Sequence, residues 1–164
     1  MPDRPIAYFL TFRCYGTWLP GDARGSVSRR NNSYGEPFLT PNEWVERRAM
    51  ERAGDPTSLD AAARSCVDAT IREVAEWNRW TLYAVNARSN HVHLVVGAQE
   101  TPERVLVEMK AWSTRRLRET GVFPSTGKVW SKHGSTRYVW TETELERVCQ
   151  YVLYGQDKDG IEGY

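Results

Sequence analysis

The sequence predicts an α+β fold: a ferredoxin-like antiparallel sheet with helices on one face, plus an extra C-terminal helix. Three observations carry that expectation. Strand-like and helix-like patterns follow one another in the order strand, helix, strand, strand, helix, strand, helix, which suits a sheet covered by helices. Two of the strand patterns are separated only by a short polar turn, as in a hairpin. With 164 residues, 40% of them hydrophobic, the chain can build one domain around a real core. Residues 1–164 are therefore expected to form a single domain, interrupted by a Gly/Pro-rich insertion at about 15–57.

The elements can be justified in turn. Ile6 to Phe12, rich in β-branched and aromatic residues, reads as the first strand. The stretch that follows is dense in Gly, Pro, Asn and Ser, with Trp18, Tyr34, Phe38 and Trp44 as its apolar anchors. Loops of such length tend to be functional or mobile. A helix is expected from about Ser58, a plausible N-cap, to Trp77, with Ala62, Cys66, Val67, Ala69, Ile71, Val74 and Trp77 as its stripe. Trp80–Val85 and His91–Val96 read as strands joined by Ala87-Arg88-Ser89-Asn90. Thr101-Pro102 marks the next helix start, a cap residue followed by proline at the first helical position. That helix carries Val105, Leu106, Met109, Trp112 and Leu117 on one side, and Lys110, Arg115, Arg116 and Arg118 close together in sequence. A fourth strand is expected around Val129-Trp130 or over Thr136–Trp140, with Ser131–Gly134 as a hairpin tip. The last helix opens near Thr141 or Thr143 and runs through Leu145, Val148, Tyr151 and Val152.

Composition excludes several classes. No apolar run nears the roughly 18 residues that span a bilayer, so no membrane partner is expected. Met1-Pro2-Asp3-Arg4 leads straight into a strand rather than resembling a signal peptide. Cys14, Cys66 and Cys149 form no CxxC pair, and their spacing suits reduced structural thiols in a cytoplasmic protein. The net charge of +1 conceals an uneven distribution: residues 101–140 carry eight basic against three acidic residues, and residues 141–164 two against six. A positive middle segment suits a local phosphate-binding face, although a solvated helix face would produce the same count.

Two features carry chemistry. In Asn90-His91-Val92-His93-Leu94, alternate strand residues share a face, so His91 and His93 project together while Val92 and Leu94 point into the core. Two imidazoles so placed can hold one divalent ion; a third, oxygen-bearing ligand would suit Mg²⁺ or Mn²⁺, and added cysteine Zn²⁺. Histidine pairs at this spacing also occur on surfaces without function, but this chain has three histidines and spends two here. The last helix supplies Tyr151 and Tyr154, either of which could attack a phosphodiester and hold the strand covalently. Packing of either ring against the sheet is the bland alternative. His133 fits a solvent-exposed loop residue better than a phosphate contact.

The Asn-His-Val-His-Leu strand, a basic helix after it and a tyrosine on the C-terminal helix together resemble the HUH superfamily of single-tyrosine transposases. Within it, the sequence is most similar to REP-associated tyrosine transposases and related bacterial insertion-sequence transposases. Val129-Trp130-Ser131 before the last strand, and Glu144-Leu145-Glu146 leading to Tyr151, fit the same pattern. The resemblance covers about residues 6–13 and 59–156 and omits the insertion. It implies an endonuclease and strand transferase on single-stranded DNA with hairpins, dependent on Mg²⁺ or Mn²⁺. His91 and His93 would be the metal ligands. Tyr151 would form a 5′-phosphotyrosine and free a 3′-OH, which later rejoins strands. Tyr154, a helical neighbour, would serve as a secondary tyrosine. Lys110, Arg115, Arg116, Arg118 and Arg13 would grip the DNA backbone, with Arg29 and Arg30 as further candidates, and Trp18, Tyr34 and Trp44 could stack on bases. One departure stands out. The family commonly places an amide ligand four residues after the tyrosine; here that position is Gly155, and the amide, Gln156, comes one residue later. Gln156 is the expected third ligand. The other readings are a non-cleaving hairpin-binding relative and a nicking enzyme of replication or plasmid transfer. The expected assembly is a monomer or a homodimer.

Overall fold

The computed structural model describes residues 3–16, 57–123 and 127–155. Most of the Gly/Pro-rich insertion, with Trp18, Arg29, Arg30, Tyr34, Phe38 and Trp44, lies outside the described residues, as does Gln156. Four strands, β1 (Ala7–Arg13), β2 (Thr81–Ala87), β3 (His91–Gly97) and β4 (Ser135–Val139), form one sheet in the order β2-β3-β1-β4. Every pairing in it is antiparallel. Helix α1 (Ala61–Trp77) links β1 to β2 and helix α2 (Pro102–Glu119) links β3 to β4. This is the expected ferredoxin-like arrangement. Helix α3 (Glu142–Gln150) follows, and passes into a π-helical turn, Tyr151–Gly155.

The two faces of the sheet are covered differently, because strand residues alternate sides. Leu10, Phe12, Val85, Val92, Leu94 and Val96 pack with Val67, Ile71 and Val74 of α1 and Val105, Met109 and Leu117 of α2 in the main core. The opposite face holds a smaller cluster, Ala7, Phe9, Ala84, Val95 and Val139, beneath Val148 and Val152. The C-terminal helix thus makes a second layer.

Local chemistry explains the boundaries. Asp60, not Ser58, caps α1 by accepting from the Ala63 amide at 2.8 Å, so the helix starts later than expected. Its buried stripe is Ala63, Val67, Thr70, Ile71, Val74 and Ala75; Ala62, Ala69 and Trp77 face solvent. Thr70 is buried because its hydroxyl donates back to the Cys66 carbonyl at 2.7 Å, satisfying itself within the helix. Thr101 and Pro102 open α2 as expected. Thr141 and Glu144 form a reciprocal capping box at the start of α3, supplying two of its orphan amides with acceptors.

Of the two candidates for the fourth strand, Thr136–Trp140 matches β4. Val129-Trp130 contributes only an isolated bridge from Trp130 to Cys14. Residues 131–134 are therefore not a hairpin tip but the end of the crossover from α2 into β4. Gly134 is required there: an added Cβ would meet the Thr11 carbonyl oxygen at 2.5 Å and Leu106 Cδ2 at 2.9 Å.

Candidate active site

His91 and His93 project from β3 onto the face beneath α3, as the alternation predicts, with ring centroids 4.6 Å apart. Both are buried. Asn90 Oδ1 accepts a hydrogen bond from His91 Nδ1 at 2.6 Å. A carbonyl oxygen only accepts, so Nδ1 is the donor in this pair. His93 Nδ1 is hydrogen-bonded to the Thr11 hydroxyl at 2.7 Å, and its Nε2 is buried without a hydrogen-bond partner among the described residues. Burial, reinforced by His91, Arg13 and Arg88, holds His93 well below the ordinary imidazole range. It is therefore neutral at physiological pH, the state a metal ligand needs.

Across the sheet, His93 stands opposite Thr11 on β1 and Asn86 on β2. A register shift between Leu82 and Ala84 adds one residue to β2 and turns Asn86 to this side. Asn86 Nδ2 then donates to the Val152 carbonyl at 2.9 Å, pinning the π-turn to the strand beside His93. Val152 itself is fully buried. That anchorage directs Tyr151 inward: its ring lies 5.8 Å from His93 and 6.2 Å from Phe9, and Phe9 lies 5.4 Å from His93. The Tyr151 hydroxyl oxygen is buried. Tyr154, expected as a neighbour of Tyr151 on the helix surface, is 71% exposed; the turn is π-helical rather than α-helical there. The two tyrosines thus differ in exposure, Tyr151 turned inward and Tyr154 outward.

A pair of adjacent imidazoles, His93 neutral with a buried Nε2, beside a tyrosine fits a divalent cation completed by oxygen ligands. Among the described residues no group of three His, Cys, Asp or Glu converges on a metal. Thiolate ligation is disfavoured at Cys14, on β1's extension, whose thiol burial pushes up to about 12.

The sequence matches the family described as IS200-like transposases over residues 57–154. The chain belongs to that family. No curated protein matches it in sequence. Two solved structures share its fold. One is a presumed transposase from Deinococcus radiodurans R1, 17% identical, with a TM-score of 0.51 over 93% of this chain and 92% of that one. The other is a REP-associated tyrosine transposase bound to a REP hairpin, 11% identical, with a TM-score of 0.54 over 96% of this chain and 70% of that one.

The remaining residues of this IS200-like chain sort into two groups. Arg13 ends β1 directly opposite His91, at the rim of the site. The four α2 residues expected to act together on DNA, Lys110, Arg115, Arg116 and Arg118, do not stay together. Lys110 and Arg118 turn toward residues 127–133, whereas Arg115 and Arg116 lie over Trp112 and pair with Glu119 and Glu73. His133 is solvent-exposed, as expected. No helix among the described residues is long and apolar enough to cross a membrane.

Sequence reasoning missed Thr11, Asn86 and Arg137. Arg137 is the largest fully buried side chain, and its Nε donates to Ser135 Oγ at 3.3 Å. It faces the tyrosine side because it alternates with Val139, a signal visible only once β4's bounds are fixed. Thr11 and Asn86 carry no linear signal; cross-strand register alone brings them to His93.

Proposed function

We propose that this transposase cleaves and rejoins single-stranded DNA beside hairpins, with Tyr151 as nucleophile and His91 and His93 holding Mg²⁺ or Mn²⁺. The observation that carries this reading is the inward Tyr151 ring against His93, on the sheet face where both histidines have Nδ1 engaged. The REP hairpin bound by the structural neighbour supports the choice of substrate. Residues 1–164 act as one HUH nuclease domain with an insertion at about 15–57. Gln156 remains the proposed third ligand, and Arg13, Lys110, Arg115, Arg116 and Arg118 the proposed DNA contacts.

In the reaction, the Tyr151 oxygen attacks the scissile phosphorus, loses its proton to solvent, and forms a P–O bond. The P–O3′ bond breaks and the leaving oxygen takes up a proton, giving a 5′-phosphotyrosine and a 3′-OH. Attack by a 3′-OH on that linkage reverses the steps, so phosphodiester bonds are exchanged without an external energy source. A cation at the histidine pair supplies Lewis-acid polarisation of the phosphate. The chain's own contribution is orientation: Asn90 and Thr11 fix the imidazoles, and Asn86 with Val152 fixes the tyrosine turn.

The test uses labelled single-stranded hairpin DNA from the flanks of the gene with Mn²⁺ or Mg²⁺. A covalent protein–DNA band is expected with wild type and with Tyr154→Phe, and is expected to be absent with Tyr151→Phe or without metal. Loss in Tyr154→Phe alone would move the nucleophile. Binding with no covalent band under any metal would leave a hairpin-binding protein, the reading favoured by Gly155 in place of an amide.

A further inference from the structure

On the α2 side of the molecule, a groove of about 650 Å³ runs between that helix and residues 127–132. Its lining includes Lys110, Arg118, Lys128 and Lys132, and no carboxylate. Its walls are tied together through these cations. Lys110 Nζ donates to the carbonyls of Ser131 at 2.7 Å and His133 at 3.2 Å, and Arg118 donates to the Gly127 carbonyl at 2.6 Å. Lys128 Nζ sits 5.2 Å from the Tyr15 ring centroid. Carbonyl partners orient these groups but do not cancel their charge. None of the four is ion-paired among the described residues, whereas Arg104, Arg115 and Arg116 of the same helix all have glutamate partners. Burial lowers the Lys110 pKa, a cost that an anion in the groove would offset.

The inner end of the groove meets the histidine strand. The Ser131 amide donates to the Arg13 carbonyl at 2.9 Å, and the Cys14 amide donates to the Asn90 carbonyl at 2.9 Å. Ser131 Oγ donates to the Cys14 carbonyl at 3.2 Å. Two short backbone links therefore join the groove wall to Asn90-His91, around the end of β1.

We propose that this groove holds the phosphodiester backbone of the single-stranded segment leading away from the scissile position, gripping phosphates without reading bases. The assignment rests on the proposed transposase chemistry for which strand enters, but its positive charge and its continuity with the histidine strand stand independently. A sequence-blind grip is what lysine and arginine contacts to phosphate provide, and the groove's inner end lies at the end of β1, where Arg13 stands opposite His91.

The test is the Lys128→Ala/Lys132→Ala double variant, both positions being solvent-exposed. It is made in a Tyr151→Phe background so that binding is read without cleavage. Fluorescence anisotropy across a salt series would compare a hairpin oligonucleotide carrying a single-stranded tail with the same hairpin without it. The double variant is expected to melt like its parent and to lower the slope of log K against log salt by about 1.4 for the tailed DNA, two single-strand phosphate contacts. The advantage of the tail should shrink with it. An unchanged slope overturns the proposal. An equal loss with the tail-less hairpin also overturns it, by moving the contact to the stem. Covalent-band formation by the Tyr151 protein on the same DNA reports separately on the chemistry, so either reading can fail alone.

Discussion

Gly155 is expected to be the residue whose smallest enlargement disarms Tyr151. It lies four residues after the tyrosine, outside the left-handed region, so glycine is needed there for space and not for dihedral freedom. An added Cβ would stand 2.9 Å from Tyr151 Cδ2, 3.6 Å from Cγ and 3.7 Å from Cβ. Carbon pairs settle at about 3.5–4.0 Å, so the ring must shift by roughly 0.6–1 Å. Phe9 and His93 pack against that ring, and a shift away from residue 155 has to be taken up there. Misplacing a reacting group by about 1 Å can lower a rate about 10²-fold, or about 2.7 kcal/mol of barrier. Overpacking costs about 1–3 kcal/mol, partly offset by the roughly 0.5–1 kcal/mol that alanine gains over glycine in a helix, so the fold should survive. The assay is the rate of covalent-band formation with Mn²⁺ by Gly155→Ala, alongside melting and calorimetric Mn²⁺ titration. A rate about 10²-fold lower, with Mn²⁺ affinity unchanged, is the expected result. Gly155→Gln should do no better, because its first side-chain carbon meets the same ring. Wild-type rate in Gly155→Ala, or tighter Mn²⁺ binding in Gly155→Gln, would refute the reasoning.

Two further outcomes follow from the histidine pair. Thr11→Val removes the hydroxyl that holds His93 Nδ1 while keeping the side chain's shape. Mn²⁺ affinity should fall by about 10–100-fold and return in Thr11→Ser; calorimetry with unchanged affinity would show that the hydroxyl does not orient the ligand. The lowered pKa of His93 makes the metal-free fold pH-dependent. Its folded value lies below the ordinary 6.5, so below pH 6.5 the unfolded chain binds more protons and stability is lost as pH falls. Urea unfolding at pH 7 and pH 5 should show a drop in the wild type that is smaller in His93→Gln, and equal drops would count against this account.

Much of the fold could be read from the chain because its signals are local. A proline after Thr101, a glutamate three residues after Thr141, and alternation through His91–Val96 each act within one or two turns or along one strand. What was not legible depends on three-dimensional neighbours. Asp60 and Ser58 are both credible caps, and only the Ala63 amide decides between them. Lys110, Arg115, Arg116 and Arg118 are close in sequence, yet at 100° per residue Arg115 and Arg116 swing far round the helix from Lys110, while Arg118 returns near it. The groove therefore recruits Lys128 and Lys132 across space instead. At the proposed site, residue type and spacing single out the histidine pair and two tyrosines, and the family resemblance chooses Tyr151 between them. Thr11 and Asn86, which orient them, are ordinary strand residues until the register is known.

The register links folding to the site. Asn86, His93, Thr11 and Ser135 stand opposite one another across all four strands, a polar row on the face that carries α3. A slip of one residue in β3 would turn both histidines into the α1–α2 core and expel Val92 and Leu94 from it. Burying two imidazoles without their Asn90 and Thr11 partners, and exposing two core side chains, is unfavourable on both counts. The apolar requirement of the larger core thus enforces the placement of the histidine face. The tyrosine arm is bound by the smaller cluster around Val148 and Val152 and by the Asn86 hydrogen bond, so its contacts are the weaker set. The proposed nucleophile, which would have to meet DNA, hold it covalently and release it, thus sits on the less firmly held of the two layers, while the proposed metal-binding histidines sit on an interior strand of the sheet.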